Sequence, residues 1–298
     1  MKFISKISLL AGAIGLNCLF AFMSIVHANQ ANPNPIFEKQ PDGTIIEVRL
    51  KGDEHFHWSE DKDGYTILLH QGWYKYAKKS NNGRLTASDH VVGQVNPKAL
   101  GLQKRIKPSA AVQAESSKKL TDENTPQRAL QIGTVKNLVV LLRFANHAES
   151  AVDAGDERLL PSVSDMEVLF NSTGGDPILA PTGSIKDLYL ENSYGKFTLD
   201  SDVQAWITLS ETEAYYANGQ SGDQTLWEGI REALSALDDN VNFANYDADG
   251  DDYIDAITFI HSGYGAEWGG IGEDGAATDD RIWSHRWALQ SSEWTSEE

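Results

Sequence analysis

Residues 247–255 read DADGDDYID and lead directly into the apolar run AITFI at residues 256–260. Carboxylates crowded at alternate or near-alternate positions repel one another unless a cation or solvent screens them. Calcium prefers six to eight oxygen ligands from carboxylates and carbonyls in a flexible loop. The stretch therefore predicts a calcium loop that feeds a buried strand, with these expected ligands: the side chains of Asp247, Asp249, Asp251 and Asp255, and the backbone carbonyl of Tyr253.

The loop departs from the helix-loop-helix calcium motif at two positions. Asp252 stands where that motif turns on glycine, and Thr258 stands where a bidentate glutamate completes the ligand shell. We therefore expect a looser aspartate-rich site that ligands from elsewhere in the chain complete. Calcium bound there would stabilise the protein and would not catalyse a reaction. The alternative is a solvated acidic turn.

The N-terminus has the pattern of a secretory signal peptide. Lys2 and Lys6 precede an apolar segment at residues 7–26, and residues 26–28, VHA, form a small-residue cleavage pattern. We predict a signal peptide over residues 1–28, a secreted, extracellular protein and no stable membrane anchor, with a single membrane span as the alternative. Cys18 lies inside this segment, so the exported chain forms no disulfide and relies on core burial, bound metal ions or both.

Charge is divided unevenly along the chain. Residues 1–130 carry a net charge of +5, whereas residues 131–298 carry −23. An acidic domain repels phosphates, so a nucleic-acid partner is excluded. The acidity is explained either by solubility or by a basic N-terminal segment that docks on an acidic C-terminal domain.

Residues 29–97 predict a small β-rich module. Alternating apolar runs at residues 44–50, 65–70 and 73–77 are separated by turn dipeptides that contain glycine. His55 and His57 would face the same side of a strand and could share a metal ion, but no third ligand is near, so the pattern favours a half-exposed strand edge.

Residues 98–131 predict a basic flexible linker, because lysine, serine, alanine, threonine and glutamine replace the periodic apolar residues. Such tracts are where proteolytic cleavage concentrates. The candidate processing sites are Lys104-Arg105, Lys118-Lys119 and Arg128.

Residues 132–298 predict a second domain of class α+β with a mixed sheet. The expected strands are residues 135–144, 197–209 (with Trp206 on the buried face), 256–260 and 282–289. The expected helices are residues 164–171, opened by a capping box of Ser164 and Glu167; 184–192, with Ile185, Leu188 and Tyr189 at helical spacing; and 223–237, capped by Ser221 and Gln224.

Several other patterns do not indicate a site. Residues 270–275 match GxGxxG as a string, but acidic residues inside the match repel a pyrophosphate. Ser221 and Ser262 lack the GxSxG nucleophile elbow. His261 and His285 are interpreted as packed, hydrogen-bonded histidines.

Ordered motifs across the chain carry a family resemblance. GSIKDLYLENSYGKFTLDSDVQAW (residues 183–206), the pair Tyr215-Tyr216, YDADGDDYIDAITFIHSGYGAE (246–267) and IWSHRW (282–287) resemble the secreted immune inhibitor A family of metallopeptidases. Motifs within residues 41–77 resemble the propeptide of that family. The resemblance implies a zincin-like domain, protein or peptide substrates, the chain's own propeptide as an intramolecular partner, and zinc held by the two histidines of a helical HExxH motif.

No HExxH motif occurs in this sequence. None of the eight histidines is followed by glutamate with a second histidine four places on. The family places its zinc helix downstream of the WSHRW segment, and the sequence ends at Glu298, eleven residues after Trp287. We therefore expect a secreted zinc endopeptidase precursor that stops before its zinc motif, is inactive as given and has no catalytic residue in this chain.

Two other functions stay open at this point. One is a non-enzymatic secreted calcium-binding protein derived from a peptidase. The other is a hydrolase of another class that uses Glu267 and Asp280 as an acid/base pair, although solvated loop charges are the commoner explanation for such residues.

Overall fold

The computed structural model describes residues 30–118, 132–147, 160–222, 225–271, 275–285 and 294–297. The predicted signal peptide, the end of the predicted linker and residues 286–293, which include the end of the predicted last strand, lie outside these ranges. No helix within the described part of the chain is long and apolar enough to span a membrane.

An antiparallel sheet of six strands forms the N-terminal module, and each strand pairs with the next one along the chain. Alternating residues of the sheet form its core, with Val48 and Ile67 almost fully buried. The three predicted β segments correspond to the second, fourth and fifth strands. The strands are β1 Ile36–Lys39, β2 Ile45–Gly52, β3 His57–Asp61, β4 Thr66–His70, β5 Trp73–Lys79 and β6 Leu85–Val91.

The first part of the predicted linker is held against this module. Lys104 lies over the ring of Tyr65, and Lys107 lies 3.9 Å from the ring centroid of Trp58. The Ser109 amide donates to a backbone carbonyl of the β5–β6 turn, and helix α1, Ala110–Lys118, follows. These two lysines therefore make cation–π contacts with aromatic rings of their own module. Composition alone does not reveal these contacts.

The second sheet has the strand order β8-β7-β9, and both pairings are parallel. Its strands are β7 Gly133–Arg143, β8 Phe197–Thr208 and β9 Ile257–His261. The central strand β7 is buried on both faces, which explains its continuous run of apolar residues. The described residues contain both helices and strands, which agrees with the predicted α+β class, but the described strands of this sheet are parallel rather than mixed.

In the described ranges, this sheet and its ends are covered by the helices α2 Val163–Asn171, α3 Ile185–Asn192, α4 Glu213–Ala217 and α5 Leu226–Leu237. The apolar face of α5 packs on one face of the sheet, and Met166 and Phe170 of α2 pack on the other. The sequence placed both helices correctly, since an apolar stripe at helical spacing indicated α5 and a capping-box pattern indicated α2.

Two predictions about the caps of these helices were wrong. The α2 capping box uses Ser162 and Asp165 rather than Ser164 and Glu167. Helix α5 is described from Leu226, and its predicted cap residue Ser221 instead donates to the carbonyl of Thr278, while the other predicted cap residue, Gln224, lies outside the described residues.

Helix α3 is capped by the side chain of Ser184 but buries none of its residues. Its predicted apolar face remains exposed at Leu188 and Tyr189. Trp206 of β8 is only partly buried, and its ring nitrogen donates to the carbonyl of Pro161. Residues 282–285, the described start of the predicted last strand, are not in a strand, because a backbone bond to Ser221 and a buried side chain hold them instead.

Candidate functional site

The acidic loop lies between a 3-10 helix, Phe243–Tyr246, and strand β9. Tyr246 is buried, and its hydroxyl donates to Asp202 on β8 at 2.9 Å. The Asp255 amide donates to the Tyr246 carbonyl at 2.8 Å, which closes the loop on itself. Both ends of the loop are thus fixed to the parallel sheet.

Asp247 organises the turn of the loop. Its Oδ1 accepts from the amides of Gly250 at 2.7 Å and Asp251 at 3.2 Å, and its Oδ2 accepts from Asp252 at 2.9 Å. Burial by itself would raise the Asp247 pKa, but these amides together lower it. Asp252 has φ 67°, so it adopts the left-handed turn for which the related calcium motif uses glycine.

Asp247, Asp249 and Asp251 each offer a carboxylate oxygen within 4.8 Å of the others. Desolvation within the loop, and next the charges of Asp251 and Asp255, raise the pKa of Asp249, whose side chain is exposed. Such mutual repulsion favours a bound cation, and three oxygens at this separation fit a hard cation such as calcium.

The other two expected ligands have different roles in the loop as it stands. The Asp255 carboxylate accepts from the Ala248 amide at 2.7 Å and is not part of the three-carboxylate group. The Tyr253 amide donates to Asp251 at 3.0 Å, and the Tyr253 side chain is exposed. The structure thus brings three of the five predicted residues together.

Sequence reasoning missed a buried polar network at the ends of β7 and β9. Glu213 is 1% exposed, and its Oε2 lies 3.4 Å from Nε2 of His147. Nδ1 of His147 lies 2.8 Å from the hydroxyl of Ser262, which also accepts from the Phe144 amide. Oε1 of Glu213 accepts from the Ile282 amide at 3.1 Å. No sequence motif indicates this network, because its members are far apart in the sequence.

The order serine, histidine, carboxylate is that of a nucleophilic triad, but Ser262 is buried at 2% exposure. A nucleophile must be reachable by its substrate. We therefore interpret the network as a cross-link that holds residue 282 and the start of α4 against the sheet. The prediction that His261 is hydrogen-bonded is confirmed by its Nδ1, which contacts the carbonyl of Ser262 at 2.9 Å.

His285 is also packed and hydrogen-bonded, as expected. Its Nδ1 donates to the carbonyl of Trp283. Burial lowers the pKa of His285 to about 4, and nearby His261 contributes to the lowering. This imidazole is therefore neutral near pH 7.

The N-terminal module contacts the second part of the chain through residues 266–271 and 279–283. Trp283 is 1% exposed and packs with Ala266 against Leu50 and Ala31 of the module side. The imidazole of His57 stacks on Trp283 with ring centroids 4.6 Å apart.

Polar contacts join the same two surfaces. Nε2 of His57 lies 3.0 Å from Oδ1 of Asp279. The Ile271 amide donates to Glu38 on β1 at 3.1 Å, and the Asn32 amide donates to the Glu267 carbonyl at 2.8 Å. The contact therefore combines apolar packing with directed hydrogen bonds rather than resting on net charge alone.

Two other sequence hypotheses do not gain support from the geometry. His55 and His57 have separate acidic neighbours, Glu54 and Asp279, and do not form a shared metal cluster in the described part of the chain. The Glu267 carboxylate accepts from the hydroxyl and the amide of Ser284. Burial, followed by the charge of Asp279, raises the pKa of Asp280.

Within the described ranges, the one group of three possible metal ligands is the aspartate group of the acidic loop. Zinc in peptidases is held by histidine nitrogens together with a carboxylate, and an all-aspartate group does not match that preference. The described residues therefore do not provide a catalytic zinc site.

Comparison with known proteins places the second part of the chain among metallopeptidase catalytic domains. The family profile described as immune inhibitor A peptidase M6, catalytic domain, matches residues 134–297, which is more than half of the chain. The chain belongs to the immune inhibitor A (peptidase M6) family.

Two relatives illustrate this membership. Immune inhibitor A from Bacillus thuringiensis subsp. alesti is 30% identical over 182 residues, which cover 52% of this chain and 26% of the relative. The pre-pro-metalloprotease PrtV from Vibrio cholerae serotype O1 (strain M66-2) is 30% identical over 145 residues, which cover 41% of this chain and 15% of the relative. The aligned segments thus span about a quarter or less of these relatives.

Proposed function

We propose that this chain is part of the precursor of a secreted zinc-dependent endopeptidase, in which the N-terminal module is a propeptide that keeps the catalytic domain latent. The observation that carries this proposal is the contact between the module and residues 266–271 and 279–283 of the peptidase-family domain. The predicted signal peptide, together with the similarity to PrtV, which is described as a pre-pro-metalloprotease, supports a secreted, processed precursor.

Latency would come from coverage of the surface around Trp283. The module places Leu50 and His57 on the indole and engages backbone groups at residues 267 and 271. A substrate peptide cannot occupy a surface that the precursor's own module already fills. Cleavage between the two parts would then allow the module to leave.

We assign a stabilising role to the acidic loop. A calcium ion at Asp247, Asp249 and Asp251 would offset their repulsion and hold the entry to β9, with Asp255 and the Tyr253 carbonyl as further ligands after a local rearrangement. The fixed ends of the loop support this role, because they connect the aspartates directly to the sheet.

The non-enzymatic calcium-binding protein is not favoured, because the family match extends over residues 134–297 rather than over the acidic loop alone. Since the described residues contain no zinc ligand set, we expect the purified 298-residue chain to hydrolyse no peptide bonds. Zinc-dependent cleavage of casein by this chain would contradict that expectation.

The test of latency uses two substitutions on the same strand of the module. In a precursor with a complete catalytic domain, Leu50→Asp places a charge against Trp283, whereas Ile45→Asp changes a residue that is 68% exposed. We expect peptide hydrolysis before processing to rise for Leu50→Asp and to stay at the precursor level for Ile45→Asp. The milder Leu50→Ala should give an intermediate rise.

Equal activity of all three precursors with the unmodified one, measured with proteins that have the same far-ultraviolet circular dichroism, would contradict latency through this contact. Activity of the unmodified precursor equal to that of the processed enzyme would contradict latency altogether.

A further inference from the structure

Trp283 and Asp279 together form a small binding site, which we call the Trp283–Asp279 site. The indole gives the site a flat apolar wall, and the Asp279 carboxylate gives it an acceptor at the edge of that wall. His57 occupies the site in the precursor, with a stacked ring at an interplanar angle of 27° and a 3.0 Å contact from Nε2 to Oδ1. The site is therefore already shaped around a planar group that carries an N–H donor.

The occupant comes entirely from the module side. The other side chains on the indole, Leu50 and Ala31, also belong to the N-terminal part, whereas Ala266 belongs to the same domain as Trp283. Departure of the module would expose a tryptophan that is 1% exposed in the precursor. Exposed tryptophans beside a polar acceptor are frequent anchors of binding energy.

We propose that the Trp283–Asp279 site recognises an imidazole or guanidinium side chain of a peptide, and that His57 stands in for that side chain in the precursor. Identifying the peptide as a substrate rests on the proposed peptidase function. The recognition of the side chain by the site does not depend on that function.

Two features select this chemistry. A planar ring or guanidinium can stack on the indole and donate to Asp279 at the same time, whereas a compact ammonium group donates without stacking. An aliphatic side chain packs on the indole but leaves the carboxylate without its donor. Glu267, which accepts from the hydroxyl of Ser284, and Asp280, on which the charge of Asp279 acts, add negative charge close to Trp283 and Asp279 and so favour a donating group.

The test is rescue of a cavity in the full 298-residue chain. His57→Ala removes the ring and opens the site, so its melting temperature should fall, and added imidazole should restore it with a saturable dependence on concentration. Methylguanidinium serves as the second probe and separates imidazole from guanidinium recognition. Butylammonium, which is positively charged but not planar, should change the melting temperature of His57→Ala little.

Matched variants separate the site from general effects of the probes. His70→Ala removes an exposed histidine of the same module, and imidazole should not shift its melting temperature. Asp279→Asn in the His57→Ala background should weaken the rescue, because the carboxylate acceptor is lost. If His57→Ala does not fold, His57→Asn gives the same measurement, because its short amide leaves the indole face open.

Equal shifts of the melting temperature of His57→Ala and His70→Ala by imidazole, or equal rescue of His57→Ala by butylammonium and imidazole, would overturn the proposal. The same conclusion follows if neither imidazole nor methylguanidinium raises the melting temperature of a folded His57 variant. Specific rescue without any peptidase activity in a longer precursor would leave the recognition site intact and contradict only the proposed function.

Discussion

Protonation of His285 should destabilise the fold between about pH 6.5 and about pH 4. The pKa of this imidazole is about 4 in the folded chain, against an ordinary value of 6.5. Between these values the unfolded chain binds more protons than the folded chain, so the free energy of unfolding decreases as the pH falls. Each pKa unit corresponds to about 1.36 kcal/mol, so the full difference amounts to about 3 kcal/mol once the pH is below 4.

The substitution that isolates this effect is His285→Asn. An asparagine amide can still donate to the Trp283 carbonyl, as Nδ1 of His285 does, but it does not titrate. We expect the wild-type chain to lose about 3 kcal/mol more than His285→Asn between pH 6.5 and pH 4, because the acidic side chains common to both proteins cancel in the difference.

Urea unfolding followed by circular dichroism across this pH range measures the difference directly. The excess loss should be absent above pH 6.5 and should grow as the pH falls towards 4. Parallel curves for the two proteins over the whole range would refute the argument, because they would mean that burial does not keep His285 neutral.

Three further predictions concern the acidic loop and the buried network. Calcium should raise the melting temperature of the wild-type chain, and the double substitution Asp249→Ala and Asp251→Ala should abolish that rise. Thermal unfolding with calcium and with a chelator measures both effects. No rise in the wild type would contradict the calcium assignment. Gly263→Ala should cost about 2–4 kcal/mol of unfolding free energy, because the backbone is left-handed there and the new Cβ would lie 2.9 Å from the Glu213 carboxylate. The control Gly174→Ala, whose Cβ would have nothing within 4 Å, should cost about 1 kcal/mol. Equal losses of the two variants in urea unfolding would contradict the crowding at Gly263. Glu213→Ala should cost about 3–5 kcal/mol of unfolding free energy. Glu213→Gln should cost less, because glutamine keeps an acceptor for the backbone amide at residue 282. Equal losses for the two variants would mean that this hydrogen bond contributes nothing to stability.

The strands were the most predictable part of the fold. Alternating apolar residues located β2, β4 and β5, and a continuous apolar run located β7, because these patterns directly record which faces are buried. The acidic loop was predictable for a similar reason. Its three grouped aspartates lie within five positions of one another, so a single turn brings their carboxylates together.

The helix caps show where local patterns become ambiguous. Ser162 and Ser164 each have an acidic residue three places on, and both could open helix α2. The helix begins with the first of them. Helix α3 shows a second limit, because an apolar stripe indicates which face could be buried but does not indicate whether another element covers it.

Docking of the N-terminal segment was expected from charge, and the contacts in the structure have a different basis. Lys104 and Lys107 lie over aromatic rings of their own module. The contact with the peptidase-family domain instead uses Leu50, His57 and Trp283. Net charge describes a long-range attraction, whereas the choice of contacting residues depends on which side chains the two surfaces present.

By itself, the sequence determined the class of fold, the position of the acidic loop and the family to which the chain belongs, because these depend on residues that are close together in the chain or on ordered motifs. Only the tertiary structure decided that Glu213 meets His147 and that His57 meets Trp283 and Asp279. These partners are 66 to 226 positions apart, and their meeting depends on how the sheets and loops pack rather than on any local pattern.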